Sequence, residues 1–331
     1  MKLLLLDAAL GTELTKRGAD TSPPLWSARA LVSLPGAVRA VHRENAAAGA
    51  DVLTACTFRT HARNLEASGL PPGEAARESA RLARIAVRLA REGAAEGAPG
   101  RALLVAGSIA PLEDCWRPDL VPAEAALAGE HAAQAANLAE AGCDLLLVET
   151  MNSVREALAA SRAAAATGLP YAVSATTDGT GRLLSSEPLA GAAQELAALA
   201  RPPLAIGVNC VPARRLLADL ELLAAALPGF PLVAYGNTGS PPDDRDSFPD
   251  RTIPDRTIGP AEYAALALSW VSRGATLVGA CCGTDASFTE ALGRALGRPL
   301  GQALGQALGR NGDLLAGGAS VTGSNPGSSS P

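Results

Sequence analysis

Two adjacent thiols, Cys281 and Cys282, close the apolar run Ala275-Thr276-Leu277-Val278-Gly279-Ala280 and open onto Gly283-Thr284. The trans peptide between neighbours forces strained geometry on any disulfide joining them. Both can instead reach one soft ion, since thiolate sulfur binds tetrahedral zinc at about 2.3 Å. A third thiol, Cys210, ends a comparable run, Leu204-Ala205-Ile206-Gly207-Val208-Asn209. Three sulfurs with one coordination position to spare make a catalytic type of centre rather than a closed structural one. The bland readings of the pair are two small buried side chains or a redox-active couple. A third thiol in an equivalent setting favours the shared Zn2+ site.

Zinc held by three thiolates carries net negative charge and is a poor Lewis acid for making hydroxide from water. It suits a substrate thiol better, because thiol pKa falls sharply on a metal. A thiolate of that kind attacks soft electrophiles, such as a methyl group on a sulfonium or a quaternary ammonium. The three cysteines thus point to alkyl transfer to sulfur. The other thiols read differently: Cys56 and Cys143 as small buried apolar residues, Cys115, beside Trp116, as a thiol without a role. His42, His61 and His131 show no metal spacing.

Such a site needs a scaffold that gathers distant strand ends. Short apolar runs alternate with longer amphipathic Ala/Leu/Arg/Glu segments. Strands are expected at 3–6, 51–57, 102–109, 144–150, 171–177, 204–210, 231–237 and 275–281. Helices are expected over about 35–48, 74–92, 123–141, 153–166, 189–200, 214–227, 260–272 and 286–296. Eight strand–helix units in strict alternation predict a (β/α)8 TIM barrel, ahead of an open doubly wound sheet. Asp7, Thr57, Glu149, Asn209, Cys210, Asn237 and Cys281 all end predicted strands. A barrel collects those ends on one rim, where an open sheet would scatter them.

Residues 1–297 are expected to form this single domain, and 298–331, Leu-Gly-Gln-Ala repeats followed from Gly317 mainly by Gly, Ser, Thr, Asn and Pro, a disordered tail with too little apolar surface to offset its ordering entropy. Pro249-Asp250-Arg251-Thr252-Ile253 is repeated at once as Pro254-Asp255-Arg256-Thr257-Ile258, a tandem duplication in a loop tolerant of change. The 331 residues are 48% hydrophobic but only 3% aromatic, so the core must be built from Ala, Leu and Val. A net charge of −5 with no basic stripe argues against a nucleic-acid partner. No stretch has the roughly 18–20 apolar residues of a membrane span. The opening apolar run breaks at Asp7 with no cleavage-type sequence behind it. Six cysteines, two of them adjacent, do not form a secreted disulfide framework, so a reduced, cytoplasmic enzyme is expected.

The motifs also carry a family likeness. Leu6-Asp7-Ala8-Ala9-Leu10-Gly11-Thr12-Glu13-Leu14, Gly49-Ala50-Asp51-Val52-Leu53-Thr54-Ala55-Cys56-Thr57-Phe58, Gly142-Cys143-Asp144-Leu145-Leu146-Leu147-Val148-Glu149-Thr150, Gly207-Val208-Asn209-Cys210 and Gly279-Ala280-Cys281-Cys282-Gly283-Thr284 follow one another in order. The chain resembles the homocysteine S-methyltransferases, which share a domain with betaine-homocysteine methyltransferase and with cobalamin-dependent methionine synthase. The resemblance implies a zinc-dependent homocysteine-binding barrel with Cys210, Cys281 and Cys282 as metal ligands. It also implies Glu149 on the amino group of homocysteine, Asp7 and the turn after it on the other amino-acid groups, and Thr57 and Phe58 lining the pocket. Asn209 contacts substrate or orients its neighbouring cysteine. The family usually has Gly where this chain has Ala8; a turn requiring positive φ there would cost about 1 kcal/mol.

Pro24-Leu25-Trp26-Ser27-Ala28-Arg29 resembles a segment of the branch using S-methylmethionine or S-adenosylmethionine. A quaternary ammonium donor wants an aromatic cage, and the chain has only 4 Phe, 3 Trp and 3 Tyr. Arg59 also stands where the betaine branch has Tyr. The expected reaction is methyl transfer from a sulfonium donor to homocysteine, with small-molecule substrates as partners and neither nucleic acid nor membrane. The alternatives are a betaine- or corrinoid-dependent methyltransferase subunit and a non-catalytic zinc- or thiol-binding barrel.

Overall fold

The structure, a computed structural model, describes residues 2–239 and 258–297. All of the duplicated segment but Ile258, and the tail 298–331, lie outside the described residues. The elements run β1 (Leu4–Leu5), α1 (Gly11–Lys16), α2 (Ala30–Ser33), α3 (Pro35–Ala47), β2 (Val52–Thr54), α4 (Ala62–Ala67), α5 (Pro72–Gly97), β3 (Leu104–Ile109), α6 (Glu124–Glu140) and β4 (Leu145–Met151). They continue with α7 (Val154–Ala166), β5 (Tyr171–Ala175), α8 (Leu189–Ala197), β6 (Ile206–Pro212), α9 (Ala213–Ala226), β7 (Leu232–Asn237), α10 (Pro260–Ser272), β8 (Ala275–Val278) and α11 (Ala286–Ala295). Single 3-10 turns stand at Trp26–Arg29 and Pro118–Leu120.

Every neighbouring strand pair is parallel, in the order β1-β8-β7-β6-β5-β4-β3-β2. A parallel bridge from Leu6 to Val52 draws the two ends of this sheet together. Asp7 N donates to Val52 O at 3.0 Å and Asp51 N to Leu5 O at 2.8 Å beside it. The (β/α)8 barrel expected from the alternation is the fold. No helix among the described residues is long and apolar enough to cross a membrane.

Period-two alternation sorts each strand's residues into two apolar layers. Leu4, Leu6, Val52, Ala106, Leu145, Leu147, Ala172, Ala205, Val233 and Leu277 form a cluster inside the barrel. Leu5, Leu146, Val148, Val173, Ile206, Val208, Leu232, Ala234 and Val278 alternate with them and pack under the helices. The next inward positions are polar: Thr54, Ser108, Glu149, Ser174 and Asn209 follow the inner apolar residues of β2 to β6. A polar layer therefore caps an apolar plug at the C-terminal rim. This is the physical origin of the site.

Six strands are shorter than the apolar runs suggest, while β4 and β6 run on to Met151 and Pro212. β2 ends at Thr54 and β8 at Val278, so Thr57 and Cys281 stand beyond the strands, although Cys281 N still donates to Gly236 O of β7. α5 runs on to Gly97, past the expected stop at 92. Its last two glycines are packing contacts: a Cβ on Gly93 would lie 2.6 Å from His42 Cβ, and one on Gly97 2.0 Å from Arg43 O. Close approach of α3 explains a residue type that reads locally as a helix end. The short helices α1, α2 and α4 lack the length for a periodic signal, and the alternation of runs does not reveal them.

Candidate metal and substrate site

Cys210 arrives on β6 and the cysteine pair on the turn after β8. Strict alternation would send Cys210 to the helix side, opposite Asn209. Its φ of 54° places it in the left-handed region instead, and the β6–β7 register shifts between Asn209 and Pro212. This bulge re-aims the thiol toward the rim. Asn237 Nδ2 donates to Cys210 O at 2.9 Å and holds the turn from β7. Gly207 makes the strand approach possible, since a Cβ there would fall 1.8 Å from Val233 O.

The pair is set by a tight turn in which Thr284 N and Thr284 Oγ1 both donate to Cys281 O, at 3.2 and 2.6 Å. Thr238 N donates to Cys282 O at 3.1 Å, and Cys281 N to Gly236 O at 2.8 Å. Behind them the Tyr263 hydroxyl reaches both Gly236 O and Gly279 O at 2.9 Å, pinning the ends of β7 and β8 together.

The sulfur separations are 3.6 Å for Cys210 to Cys282 and 4.0 Å for Cys281 to Cys282. All three sulfurs lie within 4.8 Å of one another, the one such cluster of His, Cys, Asp or Glu ligand atoms among the described residues. A tetrahedral ion with bonds of about 2.3 Å spaces its sulfurs about 3.8 Å apart. The donor set and its spacing fit a soft divalent metal. Cys281 stands well above the ordinary thiol range, through contact with Cys210 and Cys282 and then burial. At Cys210 the Cys281 contact lowers the pKa, but contact with Cys282, burial and repulsion from Cys282 and Cys115 outweigh it. Three crowded thiols of this kind favour a bound cation that replaces their protons.

Glu149 follows Leu145 and Leu147 on the inner face of β4. Ser108 Oγ donates to its Oε1, and the Tyr235 hydroxyl donates to its Oε2 at 3.0 Å. Burial pushes its pKa up from 4.5 to about 7, against the lowering effect of these two bonds. Asp7 accepts from Thr54 N at 2.9 Å and from Thr54 Oγ1 at 2.8 Å. Burial raises it from 3.8 to about 7, with the Glu149 charge contributing. Neither acid has a salt-bridge partner among the described residues. Two buried carboxyls without an ion-pair partner therefore stand side by side with the thiol cluster at the rim, a pairing that a cationic group would stabilise.

The remaining candidate residues divide. Thr57 is fully buried; its Oγ1 donates to Ser108 O at 3.0 Å and accepts from Ser108 N at 2.9 Å, tying β2's end to β3. Asn209 is also fully buried, with its carboxamide turned onto Thr150. Phe58 is half-buried, edge-to-face with Trp26 at 5.4 Å between centroids and covered by Arg59 at 5.2 Å. Ala8 is absent from the left-handed non-glycine residues, which among the described residues are Trp26, Thr150, Ser186 and Cys210. The strain expected for an alanine there does not arise. Residue type alone does not single out Ser108, Ser174, Tyr235, Thr54 or Tyr263; the inward alternation on β2, β3, β5 and β7 is the signal that finds the first four. Cys115, read as a thiol without a role, lies near enough to raise Cys210. Cys56 and Cys143 are buried as expected, both pushed up to about 12 by burial.

Known proteins resemble this chain along most of its length. A family model described as homocysteine S-methyltransferase matches residues 4–296. The chain is similar to a homocysteine S-methyltransferase of Escherichia coli (strain K12), 32% identical over 300 residues, spanning 88% of this chain and 94% of that protein. It is also similar to a selenocysteine methyltransferase of Astragalus bisulcatus, 29% identical over 85% of this chain and 88% of that one. Among solved structures, the metallated form of the E. coli homocysteine methyltransferase MmuM superposes with a TM-score of 0.73 at 30% identity, over 88% of this chain and 96% of that one.

Proposed function

The chain belongs to the homocysteine S-methyltransferase family, and from that premise we propose that it moves a methyl group from a sulfonium donor, S-methylmethionine or S-adenosylmethionine, to the thiol of homocysteine. The observation that carries this reading is the convergence of Cys210, Cys281 and Cys282 within 4.8 Å of one another. Bound there, a soft divalent ion, by our reading zinc, would lower the pKa of a substrate thiol. The chain's own residues do the orienting. Glu149 and Asp7, buried and without a counter-charge, receive the α-ammonium and adjacent groups of the amino acid, which draws both acids into the ionised form.

Ser108 and Tyr235 hold the Glu149 carboxylate, Thr54 holds that of Asp7, Thr57 ties the end of β2 to Ser108, and Asn209 fixes the turn after Glu149. Phe58 walls the pocket beside Trp26. In the transfer, a lone pair on the acceptor sulfur forms the new sulfur–carbon bond while the donor's sulfonium–carbon bond breaks. The electron pair stays on the donor sulfur, which leaves as a neutral thioether; the thiol proton passes to solvent. No general acid is needed for such a leaving group. Positioning of the two sulfurs in line with the methyl carbon is what the protein supplies. With S-methylmethionine, both products are methionine. Six free cysteines fit a reducing, cytoplasmic setting.

The test is methionine formation by metal-loaded protein from homocysteine with S-methylmethionine, S-adenosylmethionine or betaine in turn. Selenocysteine serves as a second acceptor and Cys210→Ala as control. Turnover with a sulfonium donor is expected; turnover with betaine alone, or only after a corrinoid protein is added, overturns the donor assignment. No methyl transfer from any donor would favour the non-catalytic barrel.

A further inference from the structure

The Glu149 carboxylate is held by hydroxyls from two other strands, one of them backed from a third. Ser108 on β3 donates to one oxygen of Glu149, itself on β4, and Tyr235 on β7 donates to the other at 3.0 Å. Behind Tyr235, Ser174 Oγ on β5 lies 2.8 Å from its hydroxyl. Tyr235 is 4% exposed and Ser174 fully buried. An ionised carboxylate only accepts hydrogen bonds, so the Tyr235 proton points at Glu149. The Ser174 hydroxyl must then donate to the tyrosine oxygen, and this order polarises the bond that reaches the acid. With one donor on each oxygen, the plane of the carboxylate is fixed across the rim.

We propose that Tyr235, backed by Ser174, is a positioning residue that sets the preference for acceptor thiols carrying an α-amino group. The inference rests on the reading that Glu149 receives that amino group. Tyr235 acts through Glu149: without its hydroxyl, one oxygen loses its anchor and the side chain gains freedom that an incoming ammonium must remove. The thiol end of the acceptor is untouched by this.

The experiment compares homocysteine with its deamino analogue, a thiol acid lacking the amino group, used as a competitive inhibitor. Tyr235→Phe is expected to raise KM for homocysteine about tenfold with kcat little changed, the scale of one hydrogen bond to a charged group. It should leave the inhibition constant of the deamino analogue unchanged. Ser174→Ala, which removes only the outer hydroxyl, should act in the same direction by about two- to threefold and carries the test if Tyr235→Phe does not fold. Glu149→Gln is the reference and should lose the preference most fully. If Glu149→Gln discriminates between the two ligands and neither hydroxyl variant does, the role of Tyr235 is overturned while that of Glu149 stands. Equal weakening of both ligands in the hydroxyl variants overturns it as well. A Glu149→Gln variant that fails to discriminate removes the underlying reading, and the proposal with it.

Discussion

The Asn209 carboxamide grips Thr150 twice: Oδ1 accepts from Thr150 N, and Nδ2 donates to Thr150 Oγ1, both at 2.8 Å. Thr150 is left-handed, with φ of 59°, and directly follows Glu149; Cys210, φ 54°, directly follows Asn209. One side chain thus stabilises the unusual turn beside the candidate ammonium receptor and sits next to a candidate metal ligand. Asn209→Ala removes both bonds and leaves a buried N–H unpaired. A loss of about 2–4 kcal/mol in urea-unfolding free energy is expected, together with a raised KM for homocysteine. Unchanged stability would show that the turn holds itself.

Removing one sulfur from the cluster should be decisive for metal content. Cys210→Ala leaves two half-buried thiols on a single turn, a poor set for a tetrahedral ion. Metal per chain, read by elemental mass spectrometry after dialysis, should drop from about one to near zero. Activity should fall by more than the roughly 10–100-fold typical of losing an outer-sphere partner. Treatment of the unaltered protein with a strong chelator should reproduce the loss, reversed by added zinc. A Cys210→Ala variant that keeps its metal and its rate would break the link between this cluster and the chemistry.

Two buried groups give the metal-free protein opposing pH dependences. The Glu149 carboxyl titrates near 4.5 unfolded but at about 7 folded, because of burial. Between those values the folded chain holds the extra proton, so its stability falls as pH rises, by about 3 kcal/mol in all. His42, buried where α3 meets α5, is pushed down from 6.5 to about 4 by burial. There the unfolded chain takes the proton first, so stability is lost as pH falls from 6.5 toward 4, by a similar amount. Asp7, also raised to about 7 by burial, adds to the Glu149 slope, and His61, lowered by burial, adds to the His42 slope, so the individual groups must be separated by variants. Relative to the unaltered protein, Glu149→Gln should gain stability as the medium goes from about pH 5 to about pH 8, whereas His42→Leu should gain on going the other way. Parallel curves for either pair would contradict the assigned cause.

The barrel and its cysteine cluster are legible in the sequence because they rest on signals of short range. Apolar runs of alternating type place the strands, and Cys210, Cys281 and Cys282 have a residue type that little else explains. The receptor end is less legible. Glu149 comes from the family likeness, while Ser108, Ser174 and Tyr235 look like ordinary strand residues until four strands are brought side by side. Thr57 and Asn209 illustrate the opposite limit: their place in the sequence is right beside the site, but only coordinates show their polar atoms engaged with Ser108 and Thr150. The bulge at Cys210 has no local sequence mark at all, since cysteine is not a residue that favours positive φ.

Ala8 tests how a departure from the family pattern is absorbed. Its N–H donates to Asn45 Oδ1 at 3.0 Å, an oxygen that also accepts from Thr289 Oγ1 at 2.8 Å. Its side chain is 4% exposed and belongs to the apolar layer beneath the helices, with Leu5 and Leu14, not to the polar layer of the rim. The methyl group therefore fills core and does not crowd a ligand held by Asp7. Restoring the family residue with Ala8→Gly would remove that buried methyl and add backbone freedom to the unfolded chain. The expected cost is about 1 kcal/mol in stability, with KM for homocysteine unchanged to within about twofold, since no contact to the ligand is altered. An Ala8→Gly variant that binds homocysteine many-fold more tightly would place the methyl in the pocket after all, and would make the turn after Asp7 the point where this chain's affinity is set.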